Sequence, residues 1–305
     1  MGAIFCHPSE RSYNINGKRY TCSRLLGEGG FSFVYLVKDS SGKKYALKSM
    51  LCQTPESLNV ANKEVNLLRQ LNHPNIIKVI DSDTINSVQL DYAKEVLILL
   101  PFCKEGTLQD VLDKQRTVNG KSCMISVFTQ AEIINIFQQL CQAVLVLHSL
   151  QPTPLAHRDL KPGNILLEGE NNKPILLDFG SVSEARINVE TRKRALEVQE
   201  DAEQHSTPMY RAPELFDVAT NCTIDERTDV WALGCILYAM AFNKSPFEAD
   251  ESSSVALKVV SGQIEIPPNH KYSQPFIQLI HKMLSHSISN RPFINQILID
   301  LSSIN

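Results

Sequence analysis

An aspartate, a lysine and an asparagine fall within six positions in His157-Arg158-Asp159-Leu160-Lys161-Pro162-Gly163-Asn164. A second aspartate follows in Asp178-Phe179-Gly180, after the strand-like run 174–177. Phosphoryl transfer calls for these residue types together. A carboxylate takes the proton of the attacking hydroxyl, and hard oxygen ligands hold a divalent ion. A cation neutralises charge on the moving phosphoryl group. Asp159, Lys161, Asn164 and Asp178 could fill those places.

Two stretches upstream could hold the donor of the phosphoryl group. Gly27-Glu28-Gly29-Gly30-Phe31-Ser32-Phe33-Val34 reads as strand, turn, strand. Glycines let backbone amides come close to phosphate oxygens because no Cβ intervenes. A dinucleotide-binding reading needs a helix after the turn, and no helical pattern follows. Ser32 also stands where the third glycine of G-x-G-x-x-G would fall. Lys48 then follows the apolar pair Ala46-Leu47, so its ammonium calls for a carboxylate, which Glu64 could supply.

The elements that must position these residues change in character along the chain. Short runs rich in β-branched and aromatic residues, separated by Gly and Ser, predict strands over 19–26, 31–38 and 44–50. A further strand is expected over 96–100, stopped by Pro101. Residues 57–71 carry Val60, Glu64, Leu67, Leu68 and Leu71 at helical spacing and predict a helix. Beyond Gly106 helices dominate: 131–150, with Ile133, Phe137, Leu140, Val144 and Leu147 on one stripe, then 229–242, 253–261, 274–284 and 293–301. A β-rich front and a helical back, joined near residues 101–105, make an α+β chain of two lobes.

Composition narrows the function further. Thirty basic and 33 acidic side chains give a net charge of −3 with no long run of one sign. Such a balance offers no field for nucleic acid. The eight cysteines are scattered without metal-like spacing, which fits reduced thiols in the cytosol. The longest near-continuous apolar stretch, 230–242, is shorter than the roughly 18 residues that span a bilayer, so a buried core helix is expected there.

In this order and local context, the motifs resemble those of the eukaryotic protein kinases from about residue 20 to about 301. The resemblance continues through Thr207-Pro208-Met209-Tyr210-Arg211-Ala212-Pro213-Glu214, Asp229-Val230-Trp231 and Arg291-Pro292. It implies a two-lobed kinase fold, with an N-lobe over 20–100, a hinge over 101–105 and a C-lobe over 106–305, preceded by a segment 1–19. It implies ATP as phosphoryl donor with Mg²⁺, or Mn²⁺ in its place. By the same resemblance Lys48 holds the α- and β-phosphates and pairs with Glu64. Asp159 is the base, Lys161 steadies the γ-phosphate, and Asn164 and Asp178 hold the metal. The nucleotide is lined by Gly27, Glu28, Gly29, Gly30, Phe31, Ser32, Val34, Ala46 and Leu100, with the backbone of Pro101 and Cys103 at the adenine edge. Glu214 pairs with Arg291, and Asp229 orients the catalytic loop.

Lys161, with Thr207 before Pro208, matches the pattern for serine and threonine substrates, and the Thr207 hydroxyl is expected near Asp159 and Lys161. A binding scaffold that has lost its chemistry would need a broken Lys48, Asp159, Asn164 or Asp178, and all four are intact. A small-molecule phosphotransferase would share the aspartates but not the P-M-Y-R-A-P-E loop. Residues 190–206 are dense in helix formers and free of Gly and Pro, which predicts a helix inside the activation segment. That insertion and the Phe102-Cys103 hinge resemble the Numb-associated kinases, and in particular their small myristoylated and palmitoylated member. The resemblance implies acylation of Gly2 and Cys6. The enzyme is then expected to sit on the cytoplasmic face of Golgi, vesicular or vacuolar membranes. One myristoyl chain binds with only about 10⁴ M⁻¹, so a palmitoyl group on Cys6 would have to supply the second anchor.

Overall fold

The computed structural model describes residues 11–29, 32–87, 90–116, 126–249 and 254–304. Gly2, Cys6, Gly30 and Phe31 lie outside the described residues. The chain folds into two compact units, Met1–Lys104 and Glu105–Asn305.

The first unit is built on six strands: β1 (Ser12–Ile15), β2 (Lys18–Glu28), β3 (Ser32–Lys38), β4 (Lys44–Cys52), β5 (Asp81–Asn86) and β6 (Lys94–Pro101). They form one antiparallel sheet in the order β1-β2-β3-β4-β6-β5. Asn16 and Gly17 turn β1 into β2 with φ of 47° and 80°. Two-residue hairpin turns favour such left-handed pairs because their twist matches that of the strands. The same turn reaches the far edge of the sheet. The Asn16 amide nitrogens donate to Asp83 Oδ2 at 3.1 Å and Asp81 Oδ1 at 2.7 Å, so the sheet is strongly curled. Its enclosed face carries Tyr13, Ile15, Tyr20, Cys22, Val37, Leu47, Leu97 and Leu99, all buried.

The helix α1 (Pro55–Gln70) begins at Thr54, whose hydroxyl accepts from Ser57 N, with Pro55 in the first turn. Its buried stripe is Ala61, Glu64, Val65 and Leu68. Val60, expected on that stripe, is 54% exposed instead. The face that packs is centred one residue further on, where Glu64 is the polar member of an otherwise apolar row. Strands β1 and β5 give no strand signal in the sequence because β1 is four residues long and β5 is almost wholly polar. Pro101 ends β6 rather than following its end; it pairs with Tyr45 at the last register position, where a missing N–H costs little.

The second unit is mainly helical: α2 (Leu108–Arg116), α3 (Gln130–His148), α4 (Arg192–His205), α5 (Arg227–Phe242), α6 (Val255–Ser261), α7 (Gln274–Met283) and α8 (Ile294–Ser303). A reciprocal box between Thr129 and Glu132 starts α3. Every residue of α5 from Thr228 to Phe242 is buried, as its unbroken apolar run required. Among the described residues no helix is long and apolar enough to cross a membrane. Three two-stranded sheets fix the loops: β7 (Leu155–Ala156) with β10 (Ser183–Glu184), β8 (Ile165–Glu168) with β9 (Lys173–Leu176), and β11 (Ile187–Val189) with β12 (Cys222–Ile224). The helix expected in 190–206 is α4. Its side chains Ala195, Val198 and Ala202 are buried against Val189, Leu215, Val218 and Ile224, so a mostly polar helix is held by one narrow apolar stripe.

Candidate active site

In the first unit, strand register sets the site. Val34, Lys48 and Ile98 lie side by side across β3, β4 and β6, and Leu36, Ala46 and Leu100 form the adjacent row. Directly paired residues share a face and neighbours along a strand alternate. Val34, Ala46, Lys48 and Leu100 therefore share the face opposite the buried Leu47 and Leu99. Glu64 reaches Lys48 on that face, with Oε1 2.7 Å from Nζ and both side chains almost buried. Gly27 pairs with Val34 and Glu28 with Phe33. Gly29 N donates to Ser32 O at 2.8 Å, and a Cβ on Gly29 would fall 2.9 Å from Ser32 Oγ. A side chain there would force the Ser32 hydroxyl to turn away. Cys103, two residues past β6, is partly buried and is not part of a disulfide.

In the second unit, hydrogen bonds between distant segments set the site. Asp159 is 9% exposed. Its Oδ1 accepts from Thr207 N at 3.0 Å and Thr207 Oγ1 at 2.8 Å. Its Oδ2 meets Lys161 Nζ at 2.6 Å and Asn164 Nδ2 at 3.2 Å. Lys161 Nζ also donates to Thr207 Oγ1 at 2.9 Å. A hydroxyl can thus sit within donating distance of the Asp159 carboxylate while an ammonium touches both.

The backbone around Asp159 is strained, and one carboxylate holds it. Arg158 has a φ of 68°, an uncommon conformation for a residue with a side chain. Asp229, 1% exposed, accepts from His157 N at 2.7 Å and Arg158 N at 3.0 Å, and its Oδ2 lies 2.9 Å from His148 Nε2. Burial by itself would raise this carboxyl. The hydrogen bond from His148 and the charges of His148, His157 and Arg158 outweigh it and hold the group below the ordinary aspartate range. The Arg158 guanidinium is occupied locally: it donates to Thr228 Oγ1 at 2.8 Å and to the carbonyls of Glu184 and Ala185 at 2.9 Å each.

Asn164 Nδ2 donates to Asp159 O at 2.8 Å, which leaves the amide oxygen free of that contact. Leu177 N donates to Asn164 O at 2.8 Å, and the His157 ring Nε2 lies 3.1 Å from Leu177 O. These bonds set Leu177 beside Asn164, and Asp178, exposed and at φ 57°, is the residue that follows Leu177. The Asn164 and Asp178 side chains offer hard oxygens without a closed cage of protein ligands. That suits a divalent ion completed by water and phosphate oxygens.

The substrate-side loop is anchored independently. Arg291 donates to Glu214 at 2.8 and 3.1 Å with its side chain fully buried, and its guanidinium lies 5.1 Å from the Trp231 ring centre. Several residues of this network carried no signal in the sequence. His148, Ser181 and Ser206 are among them and meet their partners only in the fold, whereas Arg211, which joins them, lies in the recognised stretch 207–214. Gly30 and Phe31 fall outside the described residues, as do Gly2 and Cys6.

Comparison with known proteins agrees with this geometry. Residues 20–300 match the protein kinase domain. The chain is 44% identical to a probable serine/threonine-protein kinase of Dictyostelium discoideum, over 98% of this chain and 97% of that protein. It is 38% identical to serine/threonine-protein kinase 16 of Homo sapiens, over all of this chain and 96% of that protein. It is 30% identical to serine/threonine-protein kinase ENV7 of Saccharomyces cerevisiae, over 95% of this chain and 93% of that protein. A hydroxyl held at a buried carboxylate beside an ammonium, in a chain alike over its whole length to such enzymes, has one reading: the chain belongs to the protein kinase family and is a serine/threonine protein kinase.

Proposed function

We propose that this kinase moves the γ-phosphate of Mg²⁺-ATP to serine or threonine hydroxyls of protein substrates with Asp159 as the base. The observation that carries this reading is the Thr207 hydroxyl donating to Asp159 Oδ1 at 2.8 Å while Lys161 Nζ touches both. A substrate hydroxyl donating to the same carboxylate loses its proton there as it attacks. Lys161 stays charged beside the transferred group and offsets its charge. Lys48, kept in place by Glu64, binds the α- and β-phosphates. Gly27, Gly29 and Ser32 present backbone to the phosphates, and Val34, Ala46 and Leu100 pack against adenine, whose edge meets the backbone of Pro101 and Cys103. Asn164 and Asp178 would hold Mg²⁺, which neutralises phosphate charge when bound.

Asp159→Asn tests the base. General-base catalysis contributes about 10²–10⁴-fold, so kcat on a peptide substrate should fall by that factor with ATP binding intact. Turnover within tenfold of wild type would remove Asp159 from this role.

Within the kinases, we assign the chain to the Numb-associated type, acting in membrane trafficking or signalling on the cytoplasmic face of endomembranes. The inserted helix α4 and the Phe102-Cys103 pair support the assignment. Myristate on Gly2 with palmitate on Cys6 would hold the enzyme there, because neither chain anchors stably alone. Gly2→Ala should move the kinase wholly into the soluble fraction, and Cys6→Ser should leave weak, readily washed binding. Full membrane retention by Gly2→Ala would place the anchor elsewhere.

A further inference from the structure

An α-helix ends with its last carbonyls lacking intrahelical partners, and a left-handed glycine commonly closes the end. Helix α4 ends differently. Its cap, Ser206, is extended at φ −130° and ψ 152°, and leads directly into Thr207. Side chains from two other parts of the chain take up the exposed carbonyls. Ser181, the first residue after Asp178-Phe179-Gly180, donates through Oγ to His205 O at 2.8 Å. Arg211, from the substrate-side loop, donates through Nη2 to Ser206 O at 3.1 Å and more weakly to Glu203 O at 3.5 Å. Arg211 Nε donates to Ser206 Oγ at 2.8 Å, while Ser206 Oγ donates to Ala202 O at 2.6 Å.

Three physical features make this end more than a frayed terminus. Arg211 is 6% exposed, and its guanidinium stacks 4.8 Å from the Phe216 ring centre. A cation there also meets the negative end of the helix dipole. The Ser206 hydroxyl is used in both directions, as donor to the helix and as acceptor from Arg211. The next residue, Thr207, places its N–H and hydroxyl on Asp159 Oδ1. Any loosening at Ser206 is therefore one peptide unit from the carboxylate.

We propose that the C-terminal turn of α4 is a clamp joining the segment after Asp178-Phe179-Gly180 to the loop that holds Asp159. Ser181, Ser206 and Arg211 are its positioning residues. Its catalytic consequence rests on the reading of Asp159 as the base. The inserted helix thereby contributes to turnover through its end, while its exposed side chains do not.

The full chain, assayed with Mg²⁺-ATP and a serine peptide, tests this. Ser206→Ala and Arg211→Gln should each lower kcat about tenfold, the effect of losing one or two partly buried hydrogen bonds that position the residue next to the base, with the KM for ATP unchanged. Ser206→Thr keeps the hydroxyl and should restore kcat, which a purely structural role does not require. Ser181→Ala combined with Ser206→Ala should cost less than the product of the single effects, since both act on one turn. Leu196→Ala, on the exposed face of α4, should be silent. Amide exchange at Thr207 should speed up in Ser206→Ala, reading the clamp without reference to chemistry.

Wild-type kcat in Ser206→Ala, or a fall that Ser206→Thr does not rescue, overturns the clamp. Should Arg211→Gln fail to fold, the Ala and Thr variants of Ser206 decide alone. Persistent turnover in Asp159→Asn would overturn the base assignment, leaving the exchange result at Thr207 to judge the clamp.

Discussion

Lys48 and Asp159 reach their positions by different means. Lys48 sits where two strand registers put it, between Val34 and Ile98, and Glu64 arrives on a helix whose buried stripe already faces the sheet. Asp159 sits on a loop with a strained neighbour, held by Thr207, Lys161 and Asn164, while Asp229 grips the preceding backbone. Strand register is backed by many backbone hydrogen bonds and a buried core, so one polar change cannot shift it. A loop held by side chains has no such reserve. The first unit should therefore fail locally when altered, and the second should fail through geometry that spreads to Asp159.

The sharpest way to break this comparison begins with Arg291→Ala. Its guanidinium neutralises the Glu214 carboxylate inside the second unit, and removing one partner of a buried pair costs about 3–5 kcal/mol. Chemical denaturation should show that loss, and a change below about 1 kcal/mol would mean Glu214 finds water. Asp229→Asn comes next. Asparagine keeps the shape but loses the charge that the His157 and Arg158 amides and His148 oppose. A fall in kcat of about 10–100-fold is expected from weakening hydrogen bonds to a charged group.

The same variant has a pH signature. The Asp229 carboxyl is depressed on folding, so its stabilisation is complete above the unfolded value near 3.9 and is lost as pH falls from there through the folded value. Wild type and Asp229→Asn should differ in stability near neutral pH and converge in acid. A constant gap down through the acid range would show that the charge contributes nothing.

Glu64→Gln tests the other unit. Neutralising the partner of Lys48 should raise the KM for ATP with a loss in kcat/KM of about tenfold, while the second unit keeps its stability. A fall in kcat alone would contradict this division of labour. The smallest effect concerns phosphorylation. Arg158 is already engaged by Thr228, Glu184 and Ala185, and α4 is packed on its own apolar cluster. Phosphatase treatment should leave activity unchanged, and a loss of about tenfold, ~1.4 kcal/mol, would show that a phosphate completes the site.

Much of the fold is legible in the amino-acid sequence. The helix α5 follows from its apolar run, α3 from its stripe, and α4 from a Gly- and Pro-free stretch of helix formers. The residues expected to do chemistry follow from motifs whose order along the chain leaves little choice. Among the elements that escape are β1, β5, α2 and the short strands β7, β8, β10, β11 and β12, where short length or polar composition leaves little period to detect. Val60 misleads because Leu67 and Leu71 suggest a stripe centred one position earlier than the one that packs.

Local sequence thus dictates which side chains are present for chemistry and which segments bury one face, since periodicity, caps and turns act over a few residues. Which partners meet is a property of the folded chain: Asp229 with the amides of His157 and Arg158, Lys161 with Thr207, Arg211 with the end of α4. Those partners are drawn together by burial of apolar surface in α3, α5 and the cluster under α4. Hydrophobic packing is non-directional and leaves no local mark on the polar residues whose meeting it enforces.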